Sequence, residues 1–177
     1  VLSNKGNLLA MVSPYSFKIE EDWSLSPNKN TNMVEILENW GVKFLPSFVA
    51  DISCARITMM SDDSQTKVLN YPYWVNILPQ ENSKSGMTIF WPTELELSQN
   101  ATPFLVSSPS AQSIPLDSFQ ANPFIVQESD FSEYNRGTKI LCAKISGELN
   151  GLFTTNSTNN SNIIVIPDQY FVNSLMT

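Results

Sequence analysis

The sequence predicts an α/β protein: a layered, open mixed sheet, rich in strands, with helices on its faces. Three observations carry that expectation. The segment Thr31 to Ser53, TNMVEILENWGVKFLPSFVADIS, reads as a capped helix, a glycine stop and then a strand. Before it, NLLAMVSP (Asn7 to Pro14) is the short unbroken apolar run that a strand covered on both faces requires. The resulting order of strand, connection, helix and strand is that of layered α/β proteins.

Taken in order, Val1 and Leu2 read as the tail of a helix stopped at Gly6, and the run from Asn7 as the first strand. YSFKIEEDWSLSPNKN is polar and proline-punctuated, an excursion. Asn32 caps the helix Met33 to Trp40, with Glu35 reaching back in a capping box and Met33, Ile36, Leu37 and Trp40 forming one apolar face. Gly41 ends it. Phe48 to Ile52 is a strand, and Arg56 to Met60 extends it or forms a hairpin arm, followed by a turn over Ser61 to Thr66. Val75 to Leu78 is a strand bounded by prolines, as an edge position tolerates. After QENSKSG comes the strand MTIF.

Pro92 in WPTELELSQN stands where a first-turn helix proline belongs, which predicts a short helix. Phe104 to Ser107 is a short strand leading into SSPSAQSIPLDS, a loop too rich in Pro and Ser to be helical. KILCAKISGEL supports a strand of about seven residues, with GLFTTN as a hairpin arm. The closing NIIVIPDQYFVNSLM gives a strand, a break at Pro167 and Asp168, and the start of a helix. No repeat is apparent at a spacing of roughly 20 to 50 residues.

At 177 residues the chain is long enough to bury roughly two thirds of its unfolded surface. Charged residues make up only 15%, their place taken by Ser, Asn, Thr and Gln, and the net charge is −7 without a basic stripe. Such a surface repels a nucleic-acid backbone. Cys54 and Cys142 show no metal-ligand spacing and read as buried thiols or one long-range disulfide. No run approaches the roughly 18 apolar residues that cross a bilayer, and no signal peptide opens the chain. The start on Val1, without Met, reads as an excised portion of something longer, so anchors would lie in segments absent from this chain.

Histidine is absent, which removes the usual general base of serine and cysteine hydrolases and the HExxH zinc arrangement. The glycines are scattered and form no phosphate cradle. No cofactor is expected. Ligands of open α/β sheets sit beyond the carboxyl ends of strands, where Ser13, Asp51, Ser107 and Asp168 are the candidates for ligand binding. Asp is also a routine turn and cap residue, so a structural reading stands beside that one. The aromatic cluster of Tyr71, Tyr73, Trp74, Phe90 and Trp91 could stack on a sugar or grip a peptide, with Tyr73, Trp74 and Trp91 as interaction residues, or could fill a core. Asn100, Asn156 and Asn159 head glycosylation-type triplets, which arise by chance in a chain so rich in Asn, Ser and Thr.

The order of segments adds a resemblance. KGNLLAMVSP resembles an apolar strand followed by Asp/Ser-Pro, and ILENWGVKFLPSFVADIS the "LLe-x-wGv…lVlD" element, of auxiliary ABC-transporter proteins that include the gliding-motility component GldG. YPYWVNIL, TIFWPTELEL, PFLVSSPSA, ILCAKISGEL and NIIVIPDQYFVNS look like later landmarks of that family in the same order. Lys5 departs from the usual glycine pair, and VIPDQYF, with Pro167, departs from the usual final turn. The resemblance implies a glutamine-amidotransferase-like or flavodoxin-like layer fold. It also implies a single extracytoplasmic domain of a membrane-anchored protein in the bacterial cell envelope, on the periplasmic face of the inner membrane. Its partners would be an ABC-transporter permease and ATPase, and its role would be non-enzymatic. Two alternatives stand beside this one: a glycan- or peptide-binding module using Trp74 and Trp91, and a carboxylate- or metal-dependent hydrolase of degenerate amidotransferase-like fold. The hydrolase requires Asp51 and Asp168 to meet Ser13 or Ser107 in one pocket.

Overall fold

The structure, a computed structural model, describes residues 6–18, 22–28, 32–60, 65–77, 86–98, 100–126, 136–149 and 161–171. The expected helix tail before Gly6, the GLFTTN arm and the closing helix beyond Phe171 lie outside them.

The chain is strand-dominated, and this corrects the α/β expectation. Among the described residues one helix, α1 (Asn32–Asn39), accompanies twelve strands. The strands are β1 (Asn7–Met11), β2 (Tyr15–Lys18), β3 (Ser24–Pro27), β4 (Val42–Ala50), β5 (Cys54–Met60), β6 (Thr66–Ile77), β7 (Met87–Phe90), β8 (Thr93–Leu97), β9 (Ala101–Val106), β10 (Gln112–Pro115), β11 (Ile140–Gly147) and β12 (Ser161–Ile166). They form several small sheets, in the orders β1-β12-β11-β9, β10-β4-β8, β5-β6-β7 and the lone pair β2-β3. Only β1 and β12 run parallel among the described pairs, in the register Asn7 with Asn162 through Met11 with Ile166. A flavodoxin-like layer needs helical crossovers between parallel strands, and here antiparallel hairpins replace them.

Three segments account for the difference. The TELEL segment is β8 and not a helix: its period of two sends Thr93 and Leu95 inward and leaves Glu96 exposed. Pro92 precedes the strand, and its carbonyl accepts the Val49 amide at 2.9 Å. The polar excursion after Pro14 is the β2–β3 hairpin. The Pro- and Ser-rich loop contains β10, whose Pro115 lies on an outer strand of its sheet.

The helix forms where the capping pattern places it, with a partly different buried face. Val34 and Leu37 are buried, Trp40 is half-buried and Met33 is exposed. Gly41, at φ 95°, ends it in the left-handed region that glycine occupies without strain. β4 then begins at once, earlier than Phe48. Its register breaks between Phe44 and Phe48, where Pro46 lacks the donor a regular ladder needs.

The core has an aliphatic and an aromatic part. Val34 and Leu37 of α1 pack with Val42, Phe44 and Leu95 against Ala10, Ala143, Ile145, Ile163 and Val165. On the opposite face of β12, Ile166 joins Val49, Val75, Ile89, Leu141 and Cys142. Both faces of the β12–β11 pair are therefore covered, which is why these strands read as nearly continuous apolar runs. The aromatic part gathers Phe48, Tyr71, Tyr73, Phe90 and Trp91, with Phe17, Trp23, Trp74, Phe119 and Tyr170 packed against them.

Candidate functional site

Asp51 and Ser107 end two strands, β4 and β9, that are brought to one place by a third residue. Ser108 donates its amide to Asp51 Oδ2 at 2.8 Å and its hydroxyl to Oδ1 at 2.7 Å. Asp51 Oδ1 also accepts the Ser53 amide at 3.0 Å, in an Asx-type turn. The carboxylate, 2% exposed, thus ties the end of β4 to the loop after β9. Ser107 closes the other side of that loop: its hydroxyl accepts the Lys139 amide at 2.8 Å and donates to the Ser108 carbonyl at 3.0 Å.

Outside this network lies a groove of about 280 Å³, lined by Asn76 and Ile77 at the end of β6 and by Phe104 through Pro109. Phe104 and Val106 stand exposed beside it on β9, an outer strand of its sheet. Asn76 is held in place, its Oδ1 accepting the Thr88 hydroxyl at 2.7 Å. The groove can take apolar side chains along its length and a hydrogen-bonding group where Ser107 and Ser108 close it.

Ser13 and Asp168 form a second neighbourhood. Asn28 donates to the Ser13 carbonyl at 3.2 Å and to Gln169 Oε1 at 2.8 Å, and so bridges the ends of β1 and β12. The Ser13 hydroxyl accepts the Tyr15 amide at 3.2 Å. Asp168 receives the Phe90 amide on Oδ2 and the Tyr170 amide on Oδ1, each at 2.7 Å. Burial pushes its carboxyl up to about 6, against the amides of Phe90, Tyr170 and Phe171, which favour the ionised form. The Cys142 thiol is pushed up to about 12, first by burial and then by the Asp168 charge. Cys54 and Cys142 are not joined in a disulfide. The four polar candidates thus fall into two pairs, Asp51 with Ser107 and Ser13 with Asp168. Of the four, Ser107 lines the groove.

The aromatic candidates sit mainly inside. Trp91 and Tyr73 are buried, and Trp74 is half-buried with its ring edge-on to Tyr71, Phe90 and Trp91. Trp91 Nε1 donates to Tyr71 Oη at 2.7 Å, and Tyr71 Oη donates to the Ala121 carbonyl. A stacked ligand would need an exposed ring face, which Trp91 does not offer. Ser108, Asn76 and Phe104 were not singled out by the sequence. Their one common signal is position at the end of a strand or on an outer strand.

A family model described as an ABC-type uncharacterized transport system, auxiliary component, matches residues 2–177. The chain belongs to that family. The resemblance in the order of segments is confirmed at this level. No curated protein matches the chain, and no solved structure does. For this auxiliary component the two carboxylates act as braces between strand ends. Among the described residues, no three or more His, Cys, Asp or Glu side chains are grouped so that they could hold a metal ion, and no helix is long and apolar enough to cross a membrane.

Proposed function

We propose that this chain is a non-enzymatic accessory domain of a bacterial ABC-type transport system of the gliding-motility kind. It stands on the extracytoplasmic face of the inner membrane beside a permease and an ATPase. Segments beyond this sequence anchor it. The observation that carries the reading is the family match from residue 2 to residue 177, which covers nearly the whole chain. Two features of the site support it. Asp51 and Asp168 both direct their oxygens to backbone amides of their own and neighbouring loops, an arrangement that fixes loop shape. The groove beside β9 presents Phe104 and Val106, apolar groups suited to contact with another protein.

A photo-crosslinking residue at position 104 of the full-length protein, expressed in its own membranes, tests the proposal. A permease subunit should be captured, and the same crosslinker at Glu96, exposed on β8, should capture less. Recovery of the full-length protein from the soluble cytoplasm, with no transporter subunit crosslinked, would overturn it.

A further inference from the structure

β1 ends its sheet, with no strand on its outer side among the described residues, and its five residues pair with β12 without a register shift. The Val12 amide donates to the Ile166 carbonyl at 3.0 Å and the Gly6 carbonyl accepts the Asn162 amide at 3.4 Å, so Leu8 and Ala10 turn their N–H and C=O groups toward β12. Those of Asn7, Leu9 and Met11 turn outward, because neighbouring residues of a strand bond to opposite edges. The Leu9 side chain is 51% exposed. Native sheets blunt such edges with proline, charge or a bulge, and the other edges of the three larger sheets are occupied or treated in that manner. β9 carries Pro103 and two register shifts, β10 carries Pro115, β8 carries Glu94 and Glu96, and β5 carries Arg56. In β7 the Phe90 amide is taken by Asp168. The run NLLAM has none of these devices.

We propose that β1 is a dimerisation edge, pairing antiparallel with β1 of a second copy of this chain about a twofold axis through Leu9. The pattern of outward groups is its own complement. With Leu9 facing Leu9 of the second copy, Asn7 faces Met11 and Met11 faces Asn7, and each facing pair exchanges both of its N–H···O=C bonds. The two Leu9 side chains then lie side by side on one face across the axis. Charge restricts where two copies can meet: each carries a net −7, and a seam without Asp, Glu, Lys or Arg is where like-charged molecules approach at least electrostatic cost. The contact is isologous and closed, with one sheet running through both copies in the order β9-β11-β12-β1-β1-β12-β11-β9. Short strands make a small interface, so the expected dissociation constant is roughly 1–100 μM. The dimer stands independently of the transport reading above, and it leaves the groove beside β9, at the far edge of the sheet, uncovered.

Light scattering and cysteine substitution in the purified full-length protein test the pairing. Twice the mass of a single chain should appear as concentration rises through that range, and added salt should favour it by screening the repulsion between copies. Leu9→Lys should weaken association at least about tenfold, since it sets two like charges at the axis and removes the apolar contact. Val68→Lys, at a β6 residue 62% exposed, should leave association unchanged. Leu9→Cys should give a disulfide-linked dimer under mild oxidation, because facing residues of a hydrogen-bonded antiparallel pair have Cα atoms about 5.5 Å apart, within disulfide reach. Leu8→Cys, which faces Ala10 in this register, should not. A single-chain mass throughout, a dimer that Leu9→Lys leaves intact, or covalent dimers formed as readily by Leu8→Cys as by Leu9→Cys would overturn the proposal. So would protection of the β1 amides from hydrogen exchange without any Leu9→Cys dimer, which would mark a strand of another protein on this edge.

Discussion

The two parts of the core solve the same burial problem with different chemistry. In the aliphatic part, Leu37, Val42, Ile145, Ile163 and Val165 bring no polar atom in their side chains, so burial alone stabilises the packing. In the aromatic part, Tyr71 and Trp91 each carry one. They satisfy it through a chain running from Trp91 Nε1 to Tyr71 Oη to the Ala121 carbonyl. The backbone there is equally interlocked: Phe90 donates to Asp168, Trp91 to the Tyr73 carbonyl, and the Pro92 carbonyl accepts from Val49. Loss of a group from the aliphatic part leaves a void. Loss of one from the aromatic part also leaves its partners unpaired, so each deletion there is felt at two or three sites.

That difference predicts a graded series of substitutions. Trp91→Ala should have the largest effect, lowering unfolding free energy by about 3–5 kcal/mol in urea melts, because it empties the centre of the ring cluster. Asp168→Asn should cost about 1–3 kcal/mol, since the amide NH₂ would face one of the backbone N–H groups that the carboxylate now accepts. It should also change the pH profile. The Asp168 carboxyl titrates near 6 in the folded chain against an ordinary value of 3.8. Its contribution to stability is therefore fully present below 3.8 and is lost as pH rises through 6. The stability gap between the natural chain and Asp168→Asn should be wider at pH 4 than at pH 7, and a gap that widens toward pH 7 would refute the assignment.

Tyr71→Phe keeps the ring and removes the hydroxyl, leaving Trp91 Nε1 and the Ala121 carbonyl without their partner. A loss of about 1–2 kcal/mol is expected, with a shift in tryptophan emission. Ile163→Val, in the aliphatic part, should be the mildest at about 0.5–1.5 kcal/mol, with no change in emission. If Ile163→Val proved as damaging as Tyr71→Phe, the contrast between the two parts would fail.

The aliphatic part was also the more legible in the sequence. The runs that form β1, β11 and β12, and the helix stopped at Gly41, announce themselves through local composition. The fold class was misread at places where local signals conflict. Pro92 followed by Thr and Glu has the chemistry of a helix start, while the alternation of TELEL is that of a strand, and pairing with β4 decides for the strand. β2, β3 and β10 are four residues long each, too short to stand out among prolines and serines. At the candidate site, strand ends pointed to Asp51, Ser107, Ser13 and Asp168, but their grouping into two pairs depends on Ser108 and Asn28. Asp51 and Ser108 are separated by 57 positions, and no local pattern records such a meeting. Tyr71 and Trp91 are legible as members of one aromatic cluster, whereas the hydrogen bond between them, across the β6–β7 connection, is not.

The parallel ladder between β1 and β12 has a kinetic consequence. Asn7 and Asn162 are 155 positions apart, so the first strand acquires its neighbour only when the last becomes available. Loop closure over that span is entropically demanding, and topologies dominated by such distant pairings fold slowly. During synthesis, Leu8, Leu9 and Met11 have no β12 to pair with until Ser161 to Ile166 have been made, and their side of the ladder stays open for that interval.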